Sequence, residues 1–191
     1  MFKSPYGKAS SIAGYGPFSG TYSAHISNGN NRNRLKQFRK FMGAYPLSFD
    51  ILDCGGRNFI GKSLGITDYT SGDLNHEFRT PKSQYDIITC FEVINHLMNH
   101  KDFLLRVHKL LKPGGKFYLS TPKPRLIVWP HGEGNYVEIY TKSMRKLLKY
   151  CGFTITKEKV YNPWPWWFPF KGIRPPFRWL LNRYVIFECV K

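Results

Sequence analysis

The run from Tyr85 to Thr121, YDIITCFEVINHLMNHKDFLLRVHKLLKPGGKFYLST, constrains the fold more than any other part of the chain. It reads as an apolar strand (YDIITC), a helix from about Asp102 to Leu111, a KPGG stop and a second apolar strand (KFYLST). Within the helix, Phe103, Leu104, Val107, Leu110 and Leu111 recur at helical spacing and form one buried stripe. The alternation extends in both directions. Upstream, the strand SFDILD leads to a short helical piece ending at Gly65, with a further strand around ITDYTS. Downstream, Thr141 can cap a helix whose Met144, Leu147, Leu148 and Cys151 face inward before Gly152 ends it. Two closing strands follow, FTITKEKVY and RYVIFECV. Apolar strands alternating with amphipathic helices predict an α/β fold with a mostly parallel sheet, and the closing strand pair predicts an antiparallel edge.

At 191 residues and 42% apolar content the chain can bury one sizeable core, so a single domain over residues 31–191 is expected. The net charge of +17 is unevenly spread. Residues 1–49 carry seven Lys and Arg and no acid, residues 50–140 carry eleven against ten acids, and residues 141–191 carry eleven against two. Basic flanks around a near-neutral centre suit an anionic lipid surface, nucleic acid or an anionic substrate, or simply a solvated face. Four cysteines, Cys54, Cys90, Cys151 and Cys189, show no CxxC spacing, which suits a reduced, cytoplasmic protein. No apolar run approaches the roughly eighteen residues a membrane span needs.

Residues 1–30 are rich in Gly, Ser, Tyr and Asn without helical period, as in a flexible arm. Residues 31–43, NRNRLKQFRKFMG, place Leu35, Phe38, Phe41 and Met42 on one stripe opposite Arg and Lys, which predicts a basic helix capping the domain. Between the closing strands, residues 161–182 hold Trp164, Trp166, Trp167 and Trp179 among prolines and cations. That loop suits a rigid flap over the pocket, an interfacial foot on an anionic membrane, or a stacking surface for bases.

The stretch FDILDCGGRNFIGKSLG, residues 49–65, admits two readings. From Gly56 it matches the phosphate-loop pattern GxxxxGK[ST] through Gly61, Lys62 and Ser63. A phosphate loop needs a long helix after its lysine, and Gly65 leaves no room for one. From Asp53 the same stretch is a worn copy of the D-x-G-x-G-x-G loop of S-adenosylmethionine enzymes. Asp53 and Gly55 are in place, with Arg57 and Phe59 where the later glycines would be.

The remaining chain favours the second reading. YDIITCFEVINHLMNHKDFLLRVHKLLKPGGKFYLSTPKP resembles the fourth strand, following helix and fifth strand of small class I methyltransferases, matching at Asp86, Glu92, Val93, His96, Leu97, LKPGG and Ser120-Thr121-Pro122. YVEIYTKSMRKLLKYCGFTI resembles the family's next segment, so the likeness covers about residues 48–160. It implies a Rossmann-like sheet and S-adenosyl-L-methionine as cofactor.

By that resemblance, Asp53, Cys54, Gly55 and Gly56 would meet the amino-acid end of the cofactor, and Cys90, Phe91 and Glu92 its methionine part. Asp73, twenty positions after Asp53, is the candidate for the ribose hydroxyls, with the adenine-contacting acid as its other possible role. Asp86 follows Asp73 by only thirteen positions, so the domain is expected to lack a helix and strand after its second strand. Some relatives, the small-RNA 2′-O-methyltransferases and certain quinone methyltransferases, hold a divalent cation through E-x-x-E-H. Here Asn95 replaces the second acid and Tyr136 a later histidine, so no catalytic metal is expected. His96, His131 and Tyr136, with Glu133 and Glu138, are the candidates within reach of an acceptor proton. The activity implied is methyl transfer to a small-molecule, anionic or lipid-like acceptor, with an anionic membrane surface as a candidate partner. The alternatives are a non-catalytic binding or assembly module of the same fold, and a phosphate-loop nucleotide-binding protein.

Overall fold

The computed structural model describes residues 28–55, 59–76, 78–123, 139–162 and 184–191, with backbone only at 28–31 and 59. The expected arm up to residue 27, the aromatic loop from residue 163 to 183, and the segment holding His131, Glu133, Tyr136 and Glu138 lie outside the described residues. The elements in chain order are α1 (Asn28–Met42), β1 (Ile51–Asp53), α2 (Phe59–Ser63), β2 (Asp68–Tyr69), β3 (Ser71–Gly72), β4 (Phe78–Arg79), β5 (Tyr85–Phe91), a 3-10 turn (Ile94–His96), α3 (His100–Leu110), β6 (Leu111–Pro122), α4 (Thr141–Tyr150), β7 (Thr154–Tyr161) and β8 (Tyr184–Val190).

Six strands form one sheet in the order β2-β1-β5-β6-β8-β7. β2, β1, β5 and β6 pair in parallel, and β8 runs antiparallel between β6 and β7. This is the Rossmann-like architecture expected, with its antiparallel strand near one edge. Of β5's seven residues only Asp86 is not fully buried, as an apolar strand covered on both faces requires. On one face α3 and α4 pack Phe103, Leu104, Val107, Met144 and Leu148 against Ile88, Cys90, Phe117 and Phe187. On the other, α1 packs Phe38 and Met42 against Ile87, Phe91, Tyr118 and Ile186.

Local chemistry sets the boundaries. α1 begins at Asn28, three residues before the sequence pattern, and stops where Gly43 takes φ 71°. Asn99 caps α3 by accepting from the Asp102 backbone N–H at 3.3 Å. α3 ends at Leu110, so Leu111 opens the next strand and KPGG becomes an irregular start to β6, with Gly114 at φ 73°. Thr141 is the first residue of α4 and not its cap: Tyr140 holds the cap position, and Thr141 Oγ1 is buried without a hydrogen-bond partner among the described residues.

Where the family's extra helix and strand would fall, β3 and β4 form a two-residue antiparallel ladder, Ser71 opposite Arg79 and Gly72 opposite Phe78. The chain then runs directly into β5. Among the described residues, no helix is long and apolar enough to cross a membrane.

Candidate active site

Strand order reverses between β1 and β5, and the carboxyl ends of strands at such a switch point are where open α/β sheets bind ligands. Asp53 ends β1 there, almost wholly buried. Thr89 of β5 donates to its Oδ1 at 2.6 Å, and the Cys54 N–H bonds the Thr89 carbonyl at 2.8 Å. Gly55 follows at φ 115°, a conformation that excludes side chains, and its N–H donates to Thr70 Oγ1 at 3.2 Å. The three strand ends are thereby tied together beneath the turn.

α2 then sits on the carboxylate. A Cβ at Gly61 would lie 2.6 Å from Asp53 Oδ2, so only glycine permits this approach. The helix is five residues long and closes as a Schellman turn: Ile66 N–H bonds Gly61 O, Gly65 N–H bonds Lys62 O, and Gly65 takes φ 77°. The glycine that completes the phosphate-loop pattern thus serves Asp53, and the helix such a loop needs is absent here.

Asp73 lies just beyond β3 with its side chain 55% exposed. Its Oδ1 accepts from the Asn75 N–H at 2.8 Å. Asn75 in turn accepts from the Met98 N–H at 2.6 Å, and Leu74 between them is buried, so the Asp73 loop is moored to the mouth of β5. No spacing in the sequence marks Asn75 for that role.

Glu92, immediately after β5, is the one non-glycine residue at positive φ among the described residues, at 60°. That pose folds it back over β6. Its N–H meets Ser120 Oγ at 3.1 Å, while Ser120 and Tyr161 hydroxyls donate to its Oε1 at 2.6 and 3.2 Å. Tyr161 closes β7 and Ser120 lies in β6, so three strands converge on one carboxyl. Arg34 of α1 approaches from above, its Nη2 donating to Tyr184 Oη at 3.1 Å and its guanidinium 4.9 Å from that ring's centre. Burial pushes the Glu92 carboxyl up; the Arg34 charge and the Ser120 and Tyr161 bonds oppose this without cancelling it. Tyr161 is pushed well up by burial and by Glu92's charge, and so remains a donor.

The other sequence candidates fall differently. Cys54 and Cys90 point into the core, where burial raises both thiols well above the ordinary value, so they pack and do not react. Phe91 stacks beneath Phe38 and contributes a wall. His96 lies on the 3-10 turn with its Nε2 3.3 Å from Asn95 Nδ2. Gly56, Arg57, His131 and Tyr136 lie outside the described residues. No group of three or more His, Cys, Asp and Glu among the described residues could hold a metal.

The donor set fits an amino-acid nucleoside. A glycine turn over a buried carboxylate offers backbone amides and negative charge to an amino-acid end, and the exposed Asp73 carboxylate offers acceptors to a ribose diol.

This sheet and this site define a class I methyltransferase fold. The profile of the family described as "Methyltransferase domain" matches residues 16–179, and the chain belongs to that family. Among solved structures it is similar to an S-adenosylmethionine-dependent methyltransferase from Mesorhizobium loti, at 14% identity and TM-score 0.56 over 85% of this chain and 98% of that one. Among curated proteins it resembles a ubiquinone biosynthesis O-methyltransferase of Pseudomonas syringae pv. tomato, 31% identical over 32% of this chain and 25% of the relative. It also resembles a probable S-adenosylmethionine-dependent methyltransferase of Mycolicibacterium smegmatis, 28% identical over 46% of this chain and 37% of the relative. The matched segments span between a quarter and two fifths of those curated relatives.

Proposed function

We propose that this protein transfers a methyl group from S-adenosyl-L-methionine to a small-molecule acceptor. The observation that carries the reading is the convergence at the switch point: Asp53 locked by Thr89 under the Gly55 turn, with Glu92 on the neighbouring strand end. S-adenosylmethionine, when bound, supplies a methyl already activated on a sulfonium. The protein's part is then chiefly positional, holding the acceptor atom within about 3–3.5 Å and in line. Thr89 keeps the Asp53 carboxylate beneath the turn, the Asn75 bond to Met98 holds the Asp73 loop at the mouth, and Phe38 and Phe91 close one wall against water.

The name of the Pseudomonas relative specifies an O-methyltransferase, which supports an oxygen acceptor here. Arg32, Lys36, Arg39 and Lys40, exposed along the outer face of α1 with no acid in that helix, support an acceptor that is anionic or presented at an anionic surface.

Calorimetric titration tests the reading. Micromolar binding of S-adenosylhomocysteine, weakened at least tenfold in Asp53→Asn, is the expected result. No binding of it or of S-adenosylmethionine, together with Mg-ATP binding lost in Lys62→Ala, would overturn it. Cofactor binding without methyl transfer to any acceptor would favour a non-catalytic module.

A further inference from the structure

Resting on the reading above, we propose that Glu92 is the group that takes the proton from a neutral, phenol-like acceptor hydroxyl, with Ser120 and Tyr161 as the positioning residues that aim it. Four observations converge.

The first is backbone geometry. Glu92 holds φ 60°, a region that non-glycine residues other than Asn and Asp seldom occupy, and the bonds from its N–H to Ser120 Oγ and Ser120 O, at 3.1 and 3.2 Å, fix it there. The strained pose turns the side chain away from the sheet axis and toward β6 and β7. A residue meant only to end the strand has no need of it.

The second is the division of labour between the carboxyl oxygens. Both hydroxyl donors, Ser120 Oγ and Tyr161 Oη, bond Oε1. Oε2 has no hydrogen-bond partner among the described residues, and it is not among the buried unpartnered atoms either. One oxygen anchors the group and the other remains an acceptor.

The third is charge. Among the described residues, the groups facing Glu92 are Arg34 from α1, Ser120 from β6, Tyr161 from β7, Tyr184 from β8 beside Arg34, and the Cys90 thiol on its own strand. The only full charge among them is the Arg34 cation. A guanidinium at the mouth repels an ammonium-bearing acceptor, whereas a hydroxyl brings a proton without bringing charge. It also attracts the oxyanion left when the proton moves to Oε2.

The fourth is matching. Proton transfer to a side chain is efficient when donor and acceptor affinities are close. A half-buried carboxyl that burial pushes upward is far better matched to a phenol or enol than to an alkanol. The Tyr161 and Tyr184 rings, 5.7 Å apart, line the same side.

The test uses 4-nitrocatechol, whose absorption distinguishes the ionised from the neutral phenol, added to the full chain with S-adenosylhomocysteine at a pH below the free probe's transition. Wild type is expected to bind the probe in its ionised form. Glu92→Gln is expected to bind it neutral and at least tenfold more weakly. Tyr161→Phe, which keeps the ring against Phe38, is expected to move the half-ionisation point of the bound probe to lower pH, because Glu92 loses a bond to its charged form and holds the transferred proton more tightly. Identical bound spectra in wild type and Glu92→Gln, or a wild type that binds S-adenosylhomocysteine but not the probe, overturns the inference alone. Loss of S-adenosylhomocysteine binding by wild type overturns the reading beneath it as well.

Discussion

Phe38 of α1 lies flat on Phe91 at the end of β5, the ring centroids 4.1 Å apart and the planes within 8°, with Tyr161 edge-on to Phe38 at 5.7 Å. This stack joins α1 to the strand end that carries Glu92 and to the strand that supplies its phenol donor. Phe38 is fully buried, so α1 is part of the core. Phe38→Ala is expected to lower stability by about 3–5 kcal/mol, the usual range for deleting a buried aromatic side chain, and Phe38→Leu by clearly less. Urea unfolding measures both. A Phe38→Ala protein within about 1 kcal/mol of wild type would show that α1 contributes little to the core.

The order of elements was legible because it is written in local periodicity: the apolar strands β5 and β6, and α3 with Phe103, Leu104 and Val107 at helical spacing. Gly65's role as a helix stop was legible for the same reason. The motif positions Asp86 and Lys112, 26 residues apart in the chain, are partners at 2.8 Å. The partners of Glu92 were not legible. Tyr161 is 69 residues from it, and Tyr184 is 150 from Arg34, so these contacts exist only once β7 and β8 have paired in register. The positive φ of Glu92 was equally hidden, since nothing in FEVINH asks for it. From the sequence, the candidates for the acceptor proton are His96, His131 and Tyr136, with Glu133 and Glu138, while Glu92 is assigned to the methionine part of the cofactor.

Thr89 lies against one oxygen of Asp53 and Gly61 against the other. Thr89→Val keeps the β-branched shape and removes the hydroxyl, leaving Asp53 Oδ1 without that donor in a site closed to water. A loss of about 1–3 kcal/mol in stability is expected, with weaker S-adenosylhomocysteine binding, since the carboxylate under the glycine turn loses its anchor. Gly61→Ala places a Cβ at 2.6 Å from Oδ2 and must displace either α2 or the carboxylate. It should therefore weaken cofactor binding more than Lys62→Ala, which alters a side chain beyond this contact. Calorimetry on the three variants gives the order, and a Lys62→Ala defect larger than that of Gly61→Ala would contradict it.

At the amino end of the sheet, Lys112 bonds Asp86 at 2.8 Å and Asp50 at 3.1 Å, and Lys82 bonds Asp50. The bonds from Lys82 and Lys112 hold the Asp50 carboxyl below its ordinary value. Burial pushes Asp86 up, but its bond from Lys112 and the one from the Asp50 N–H overcome that, so it too lies low. A carboxyl with a depressed folded-state pKa stabilises the fold above its unfolded value, about 4, and that contribution is lost as pH falls through the folded value. Lys112→Met should therefore unfold more easily than wild type near neutral pH, and the gap should close below about pH 4. Unfolding curves at the two pH values decide it. A gap independent of pH would assign Lys112's effect to packing of its stem.

Glu92 offers a comparison that separates backbone strain from side-chain bonding. Both Glu92→Ala and Glu92→Gly remove the carboxyl and its bonds from Ser120 and Tyr161. They differ only in how each residue tolerates φ 60°. Alanine retains the steric penalty of the left-handed region, on the order of 1–2 kcal/mol, whereas glycine is free of it. Glycine's greater freedom in the unfolded chain works against it by about 0.5–1 kcal/mol. The backbone strain should win, making Glu92→Gly the more stable of the two by up to about 1 kcal/mol, the reverse of the usual order. Paired thermal and urea unfolding reads the sign directly. An alanine variant more stable than the glycine variant would mean that the strand end relaxes out of the left-handed pose once the carboxyl is gone, so that Ser120 and Tyr161 hold Glu92 there through its side chain.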